Sequence, residues 1–335
     1  MSPLRFGVIG TGAITDRVIA GGRQDKRFEL AAVYSRRQET AAAFAAKHGI
    51  THTFTSLEAM AASPLIDAVY VASPNAFHAE QSILCMEHGK HVLCEKAFAS
   101  NAGEVREMIA AAVRNNVTLM EAMKPTLTPN FLAARNAMDK IGAVRRYFSC
   151  YCQYSSRYDK FREGVVLNAF RPELSNGALS DIGVYTIYPM VVLFGRPQTV
   201  KAAGFKLSSG VDGEGSAVFS YPEMDAAVIY SKIANSALPT EIQGEDGNIV
   251  FDRINIISRV NLLYRDGREE LLSRRAEYDE YYYEVKEFID LVQSGRREST
   301  INSWENSLIT MEIMDEIRRQ SGILYPHDDE KLNNL

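Results

Sequence analysis

The sequence predicts two domains: an α/β domain with a doubly wound parallel sheet, then an α+β domain with a large, open, mostly antiparallel sheet. A chain of 335 residues exceeds what one hydrophobic core usually serves. Early in the chain, apolar strand-like segments alternate with helical segments, a pattern typical of parallel sheets. Further on, extended segments follow one another and are separated by turn signals. We therefore expect one domain over residues 1–122 and a second over residues 123–335.

The composition is that of an ordinary globular protein, with 46% apolar and 24% charged residues. The net charge of −5 argues against a nucleic acid or an anionic membrane surface as a partner. The N-terminus lacks a signal-peptide pattern, and no apolar run approaches the ~18 residues that span a bilayer. The four cysteines show no metal-binding or redox-motif spacing. These observations predict a cytoplasmic protein with reduced thiols, no metal site, and neither a nucleic acid nor a membrane as its partner.

The N-terminal strand, residues 4–9, runs directly into a glycine-containing turn and a helix start at residues 15–20. Gly10 permits the tight turn, and Gly12 lets the backbone approach a pyrophosphate without a Cβ in the way. Free N–H groups at the helix start would face that phosphate. Thr15 replaces the third glycine of the usual fingerprint, which weakens the argument from helix–strand packing. The turn predicts a Rossmann dinucleotide site formed by Gly10, Thr11, Gly12, Ala13 and Ile14.

A second strand, residues 28–34, ends in Ser35, Arg36 and Arg37. Proteins that bind NAD usually place an acidic residue at this strand end to hold the ribose hydroxyls. This chain has a hydroxyl and two guanidinium groups there, and arginine forks match a 2′-phosphate that a carboxylate would repel. The three residues therefore favour NADP over NAD as the cofactor. Two alternatives stay open: Arg36 stacks on adenine, or both arginines are solvated.

The remaining strands of the first domain are predicted at residues 67–72, 91–94 and 117–121. The helices between the strands are predicted at residues 39–47, 81–88 and from the Asn101 cap to about residue 115. In such sheets, ligands bind beyond the carboxyl ends of the strands. The remaining cofactor contacts are therefore expected at Ser73, Pro74, Asn75, His78, Glu95 and Lys96. We expect His78 to orient the nicotinamide amide, or else to be a satisfied, partly buried imidazole.

In the second domain, helices are predicted at residues 130–140, 284–291 and 305–320. Strands are predicted at residues 144–154, 199–206, 216–221, 226–233, 241–244 and 253–264. One face of this sheet is expected to be covered by helices, whereas the other has no evident cover in the sequence. Association between two sheets would bury the open face, so we expect a homodimer or a higher homo-oligomer.

A helix predicted over residues 177–194 carries Asp181 and Tyr185 four positions apart, and therefore on one face. A carboxylate and a phenol on one face can bracket a carbonyl or hydroxyl of a polar substrate. The alternative is a surface aspartate and a half-buried tyrosine. Arg171 precedes this helix, and we expect it to contact the substrate or a phosphate, or to form a structural salt bridge.

Residues 10–14, 73–78, 95–96 and 181–185 together resemble the Gfo/Idh/MocA oxidoreductase family, and the similarity covers nearly the whole chain. The Asp-x-Gly-x-Tyr form of the last segment is similar to the branch of glucose–fructose oxidoreductase and dimeric dihydrodiol dehydrogenase. The family usually has Glu-Lys-Pro, and this chain has Ala97 in place of the proline. Because a proline would fix φ at that turn, the placement of the lysine is left to packing.

The resemblance implies an oxidoreductase that transfers a hydride between a nicotinamide and a carbonyl or alcohol, with Lys96 as the catalytic residue. The expected substrate is a small polyhydroxylated compound, namely a sugar, a sugar derivative or a cyclic diol. We expect Tyr185 to exchange the substrate proton, Lys96 to tune and orient it, and Asp181 to hold substrate hydroxyls. Direct proton transfer by Lys96 is the alternative. The competing function is a catalytically inactive nucleotide-binding regulator, although a regulator has no need of a proton donor.

Overall fold

A computed structural model describes residues 2–326 and residue 328. The described residues form two compact units. The first unit contains residues 2–124 and 277–307, and the second contains residues 125–276 and those from 308 onward. This division differs from the predicted boundary after residue 122 in one main respect, since residues 277–307 pack with the first unit.

Six parallel strands form the sheet of the first unit: β1 (Leu4–Ile9), β2 (Phe28–Tyr34), β3 (His52–Phe54), β4 (Ala68–Val71), β5 (His91–Glu95) and β6 (Leu119–Ala122). Their order across the sheet is β3-β2-β1-β4-β5-β6. Every residue of β4 is buried, as expected for a strand with helices over both faces. The strand order reverses between β1 and β4, and doubly wound sheets bind their ligands at such a point. The predicted fold class of this domain is confirmed.

The helices that connect these strands are α1 (Ala13–Gly22), α2 (Gln38–His48), α3 (Leu57–Ala61), α4 (His78–Glu87) and α5 (Ala102–Asn115). The predicted cap of α5 is confirmed, because the Asn101 side chain accepts the N–H of Glu104 at 3.0 Å. The Glu104 carboxylate in turn accepts the N–H of Ser100 at 2.7 Å. The first bond satisfies one of the N–H groups that the helix start leaves unpaired, and the second ties the residue before the cap to the first turn.

Helix α9 (Glu280–Gln293) is the part of residues 277–307 that completes the first unit. Its apolar stripe includes Tyr281 and Phe288, and the Phe288 ring lies 5.8 Å from the Phe6 ring of β1. Gly21 of α1 makes this approach possible, because a Cβ there would lie 2.7 Å from the Cβ of Tyr281. The stripe is buried against an element more than 250 residues away in sequence, and no local pattern indicates that pairing.

The second unit contains eight strands: β7 (Val144–Cys152), β8 (Thr199–Lys206), β9 (Asp212–Ser220), β10 (Asp225–Ser231), β11 (Thr240–Gly244), β12 (Gly247–Phe251), β13 (Val260–Tyr264) and β14 (Glu269–Leu271). Their order is β14-β13-β12-β11-β7-β10-β9-β8. Strands β7 and β10 pair in parallel, and the other neighbours pair antiparallel, which confirms the predicted mostly antiparallel sheet. The remaining helices are α6 (Pro129–Asn136), α7 (Tyr158–Arg162), α8 (Val184–Phe194) and α10 (Trp304–Ser321).

The single strand predicted over residues 253–264 is wrong, because only β13 within that range is extended and β12 ends before it. Asp252 explains the interruption. Its carboxylate accepts the N–H groups of Ser258 and Arg259, each at 3.0 Å, and so closes a wide turn between the two strands. A side chain that bonds the backbone across several residues offers the chain an alternative to the sheet ladder.

The two faces of the large sheet differ in their environment. Tyr147 of β7 lies on the face covered by α8, and its hydroxyl donates to the carbonyl of Thr186 at 3.0 Å. Strand register places Phe205, Val218 and Leu271 on the opposite face, with Phe205 and Leu271 on the two edge strands of the sheet. Their side chains are 56%, 55% and 63% exposed, respectively, so this face carries an apolar surface.

One helical stretch, Pro172–Phe194, has the length and apolar composition of a membrane span. This corrects the expectation that no apolar run approaches that length. Its most apolar 18-residue window is 72% buried inside the protein. Burial of this extent is the pattern of a core helix, whose apolar residues pack on the sheet rather than face lipid.

Candidate cofactor and substrate sites

The turn after β1 has the backbone geometry that a pyrophosphate site requires. Gly10 has a φ of +104°, and a Cβ there would lie 2.3 Å from the carbonyl oxygen of Ala72. Gly12 precedes α1 and offers no side-chain cap, and a Cβ at this position would meet no described atom within 4 Å. The space beside Gly12, at the start of α1, is therefore open. This arrangement fits the phosphates of a dinucleotide.

Thr15, which replaces the third glycine of the fingerprint, is fully buried in α1. Its hydroxyl has no hydrogen-bond partner among the residues that the structure describes. Helix α1 nevertheless forms from Ala13 to Gly22. The substitution therefore leaves the helix start intact.

The end of β2 presents two cationic side chains. Arg36 and Arg37 are exposed, and neither forms an ion pair with any residue described between positions 2 and 326. Ser35 is held in place because its N–H donates to the carbonyl of Phe54 at 3.0 Å. Two available guanidinium groups beside a serine hydroxyl fit the 2′-phosphate of NADP.

The loop after β4 carries the predicted contacts Ser73, Pro74, Asn75 and His78. The Ser73 hydroxyl is buried and has no hydrogen-bond partner in the described part of the chain. His78 is 1% exposed, and its Nδ1 and Nε2 lie 2.9 Å and 2.8 Å from the carbonyl oxygens of Ala97 and Ser73. Burial lowers the pKa of His78. Both ring nitrogens thus join the loop after β4 to the loop after β5, and a direct contact with the nicotinamide stays a prediction.

Lys96 directly follows β5, where its backbone is anchored on Glu95. The Lys96 N–H lies 3.2 Å from Glu95 Oε2, and the hydroxyl of Tyr70 donates to Oε1 at 2.5 Å. Burial raises the pKa of Glu95, while the charge of Lys96 and the Tyr70 hydrogen bond oppose that rise. The Lys96–Ala97 peptide bond is cis. Ala97, which stands where the resembled family has proline, is 1% exposed.

Two further buried acids, Glu121 and Glu284, lie in the first unit. The sequence places Glu121 at a strand end near the expected cofactor, whereas it does not indicate Glu284 as a site residue. Burial raises the pKa of Glu121 to about 8. Glu284 of α9 is fully buried, and its carboxylate oxygens accept no hydrogen bond from the described residues. Burial and the charge of Glu95 both raise the pKa of Glu284. The sequence contained a signal, because Glu284 lies on the apolar stripe of α9, between Tyr281 and Phe288.

In the second unit, Asp181 lies in a π-helical turn (Leu179–Gly183) that precedes α8, and not in the uninterrupted α-helix predicted from residue 177. The Asp212 carboxylate caps this turn, since it accepts the N–H groups of Ala178 and Leu179 at 3.1 Å and 2.7 Å. Gly177 is needed here, because a Cβ would lie 2.0 Å from Asp212 Oδ1. Single π turns in helices occur frequently at functional sites.

Tyr185 follows Asp181 by four residues and is half-buried. Its ring meets that of Tyr151 edge to face, with centroids 5.7 Å apart. Asp181 Oδ2 lies 2.8 Å from Nζ of Lys232, a lysine that sequence reasoning missed. Asp181 lies in the π-helical turn and Tyr185 in α8, and the prediction that the two side chains bracket a substrate stays a prediction.

Arg171 is less closely tied to this segment. Its exposed guanidinium donates to the carbonyl of Val166 at 3.2 Å and lies 3.8 Å from the Glu173 carboxylate. The weak ion pair agrees with the structural alternative for Arg171. A contact with a substrate or a phosphate stays a prediction. Among the described residues, no three His, Cys, Asp or Glu side chains are grouped so that they could hold a metal ion.

Comparison with known protein families gives two matches. Residues 4–123 match an oxidoreductase family with an NAD-binding Rossmann fold, GFO_IDH_MocA. Residues 131–250 match the GFO/IDH/MocA C-terminal domain. The two matches together cover more than half of the chain.

Individual relatives also align over nearly the whole chain. The chain is 56% identical to scyllo-inositol 2-dehydrogenase (NADP(+)) IolU of Bacillus subtilis (strain 168), over 97% of this chain and 99% of that protein. It is 30% identical to trans-1,2-dihydrobenzene-1,2-diol dehydrogenase of Xenopus laevis, over 96% of this chain and 99% of that protein.

Among solved structures, the complex of KijD10, a 3-ketoreductase from Actinomadura kijaniata, with NADP and TDP-benzene has the same fold. Its TM-score is 0.84 at 23% identity, and the match covers 96% of this chain and 98% of that chain. At this level of identity the likeness concerns the fold alone.

Proposed function

Because the chain belongs to the Gfo/Idh/MocA oxidoreductase family, we propose that it oxidises one hydroxyl of a cyclic polyol, with scyllo-inositol as the first candidate substrate. The protein is an NADP-dependent oxidoreductase that acts on an alcohol or carbonyl of a small polyhydroxylated compound. The observation that carries the proposal is the 56% identity, over nearly the full length, to an NADP-dependent scyllo-inositol dehydrogenase. An inositol ring offers several equivalent hydroxyls to a site that contains a carboxylate and a phenol.

The proposed cofactor contacts follow the carboxyl ends of the first sheet. The N–H groups at the start of α1 hold the pyrophosphate, and Gly12 leaves room for it. Arg36 and Arg37 hold the 2′-phosphate, which supports the preference for NADP. Bound NADP⁺ supplies the hydride acceptor, so the residues of this chain need only orient the reactants and move one proton.

Because the cofactor accepts the hydride, the residues proposed to contact the substrate must orient it and move one proton. When the hydride leaves the carbinol carbon, the O–H bond breaks and a C=O bond forms, so a base must receive the hydroxyl proton. Tyr185 is proposed as that base, and Lys96 as the cation that tunes the phenol and orients the substrate oxygen. Asp181 holds a neighbouring hydroxyl of the substrate. Direct proton transfer by Lys96 is the alternative for the same step.

Replacing Lys96 with Met tests the proposal, because it removes the ammonium group and keeps a side chain of similar length. We expect turnover of scyllo-inositol with NADP⁺ to fall by about 100- to 10,000-fold, the usual contribution of acid–base catalysis. The dissociation constant for NADPH, measured by fluorescence titration, should stay close to that of the unmodified protein. Lys26→Met, at an exposed lysine of the same unit, is the matched control and should leave both quantities unchanged.

Tyr185→Phe separates the two versions of proton transfer. If Tyr185 is the base, this variant should lose turnover and the limb of the pH–rate profile that reports the base. An unchanged profile would assign the proton to Lys96. Unmodified rates in Lys96→Met would remove lysine from the mechanism. Tight NADPH binding without turnover, across inositols, aldoses, ketoses and cyclic diols, would favour the regulator instead.

Assembly and location belong to the same proposal. A homodimer through the open face of the large sheet is supported by the exposed side chains of Phe205, Val218 and Leu271. A cytoplasmic location is supported by the four cysteines, all of which are free thiols.

A further inference from the structure

Lys232 is a buried lysine that immediately follows β10 in the second unit. It is 2% exposed, although a lysine is rarely buried without a partner. Its N–H donates to the carbonyl of Gly213 at 2.9 Å, and its carbonyl accepts the N–H of Ser155 at 2.8 Å. The backbone is therefore fixed on both sides, which determines where the side chain begins.

The ammonium group of Lys232 has three close neighbours in the same unit. Nζ lies 2.8 Å from Asp181 Oδ2, donates to the carbonyl of Ala169 at 3.2 Å, and lies 5.1 Å from the centroid of the Phe170 ring. The side chain of Asp181 is 43% exposed. The ion pair thus joins an enclosed cation to a carboxylate that a ligand can reach.

Asp212 also interacts electrostatically with Lys232. Burial raises the pKa of Asp212 to about 6, and the charge of Lys232 opposes that rise. The Asp212 carboxylate already accepts the N–H groups of Ala178 and Leu179. Asp212 is therefore engaged with the helix start, and Asp181 is the carboxylate that forms the ion pair with Lys232.

Lys232 also contacts the segment over residues 154–170, at Ser155, Ala169 and Phe170. Phe170 belongs to a buried cluster, and Tyr158 and Phe161 pack against it. Because Lys232 lies against the Phe170 ring and also pairs with Asp181, it couples the position of the carboxylate to that of this aromatic segment.

We propose that Lys232 is a positioning residue that holds Asp181 as an oriented carboxylate for a substrate hydroxyl. The inference rests on the proposed function and extends it to substrate selection. An ionised carboxylate only accepts hydrogen bonds, so it selects a substrate with a hydroxyl donor near the carbon that is oxidised. A deoxy analogue lacks that donor, loses its hydrogen bond to the carboxylate and is therefore bound more weakly.

Lys232→Met, made in the full chain, tests the proposal. We expect the KM for scyllo-inositol to rise by about tenfold or more, which corresponds to the loss of a charge-assisted contact. The dissociation constant for NADPH should be unchanged, because Lys232 belongs to the second unit. Lys140→Met, at an exposed lysine of the same unit, is the matched control and should keep the unmodified KM.

A double-mutant cycle with Asp181→Asn distinguishes positioning from a general structural role. If Lys232 acts through Asp181, adding Lys232→Met to Asp181→Asn should raise KM no more than about twofold further. Two independent losses that multiply would reject the proposal. An unmodified KM in Lys232→Met would reject it as well.

Lys232→Arg is the control for a loss of folding in Lys232→Met, because arginine keeps the positive charge. Lys232→Arg should fold and have a lower KM than Lys232→Met. If neither variant binds NADPH, Lys232 is required for folding, and the proposal is overturned. The proposed function fails separately, if the unmodified protein neither oxidises scyllo-inositol or other polyols nor is stabilised by them in thermal unfolding. Activity in the unmodified protein without any effect of Lys232→Met rejects only the positioning role.

Discussion

Glu121, near the end of β6, shows how strongly burial changes the pKa of a single carboxyl group. It is 3% exposed, and it interacts with the Ser307 side chain and the backbone of Phe98, both of which favour its ionised form. Burial outweighs these contacts and raises its pKa from 4.5 to about 8. At neutral pH the folded protein therefore holds a proton on Glu121 that the unfolded chain has lost.

The number of protons bound by the folded and unfolded states determines how stability changes with pH. Between pH 4.5 and about 8 the folded state binds more protons than the unfolded state, so stability falls as the pH rises. One such group changes the free energy of unfolding by up to about 1.4 kcal/mol per pH unit. Glu121→Gln should flatten this part of the profile in urea unfolding measured from pH 5 to 8. The control is Glu107→Gln, at an exposed acid of α5, and equal profiles for both variants would contradict the prediction.

Residue roles that depend on local geometry could be predicted from the sequence. Gly10 and the Asn101 cap follow from the chemistry of a turn and of a helix start, and the structure shows both. Lys232 could not be predicted, because its partner Asp181 is 51 positions away and only the fold brings the two together. Glu284 lies between these two cases. The sequence shows that it lies on an apolar stripe, but it does not show that Glu95 is its neighbour.

At the scale of elements, the start of the segment before α8 depends on one carboxylate and one glycine. The capping bonds from Asp212 to Ala178 and Leu179 run from β9, so they fix the π-helical turn on the large sheet. Gly177 contributes by lacking a side chain. Asp181 and Tyr185 therefore take their positions from a cap that lies outside their own segment.

Gly177→Ala is expected to displace the Asp212 carboxylate from its two N–H donors. The loss should lower the free energy of unfolding by about 1–3 kcal/mol, in the range for a lost cap and an unsatisfied buried group. Thermal unfolding with matched denaturant curves measures this change. Asp212→Ala made in the Gly177→Ala background should add little, because the contact is already broken. If the two substitutions lower the free energy of unfolding by fully additive amounts, Gly177 and Asp212 act independently, and the prediction is wrong.

Elements with a strong local pattern were predicted closely, and those set by distant contacts were not. The apolar run Phe28–Tyr34 forms β2 with the predicted ends. The sequence predicts plain α-helix for the π-helical turn before α8, because the widened backbone depends on the Asp212 cap, which comes from β9. The placement of α9 in the first unit likewise depends on Gly21 and Phe6, far away in the sequence.

At the scale of the whole molecule, one face of the large sheet is open: among the described residues of a single chain, no layer of helices covers it. Phe205, Val218 and Leu271 lie there on three different strands. Neighbouring strands add Phe148 and Ile229, which are partly buried. Exposed apolar side chains on this face, interspersed with charged ones such as Arg146 and Glu241, are compatible with a symmetric, face-to-face contact between two copies.

Val218→Glu should break the proposed dimer, because a symmetric interface would bury the new carboxylate of each copy in an apolar contact. Light scattering after size exclusion should give twice the chain mass of 37.3 kDa for the unmodified protein and the single-chain mass for the variant. Val113→Glu is the matched control, since Val113 is 48% exposed on α5 of the first unit, and it should leave the dimer intact. Stable association at micromolar concentration requires roughly 1,000 Å² of buried surface, which a face of eight strands can supply. A monomeric mass for the unmodified protein, or dimers that persist in Val218→Glu, would show that this face does not form the interface.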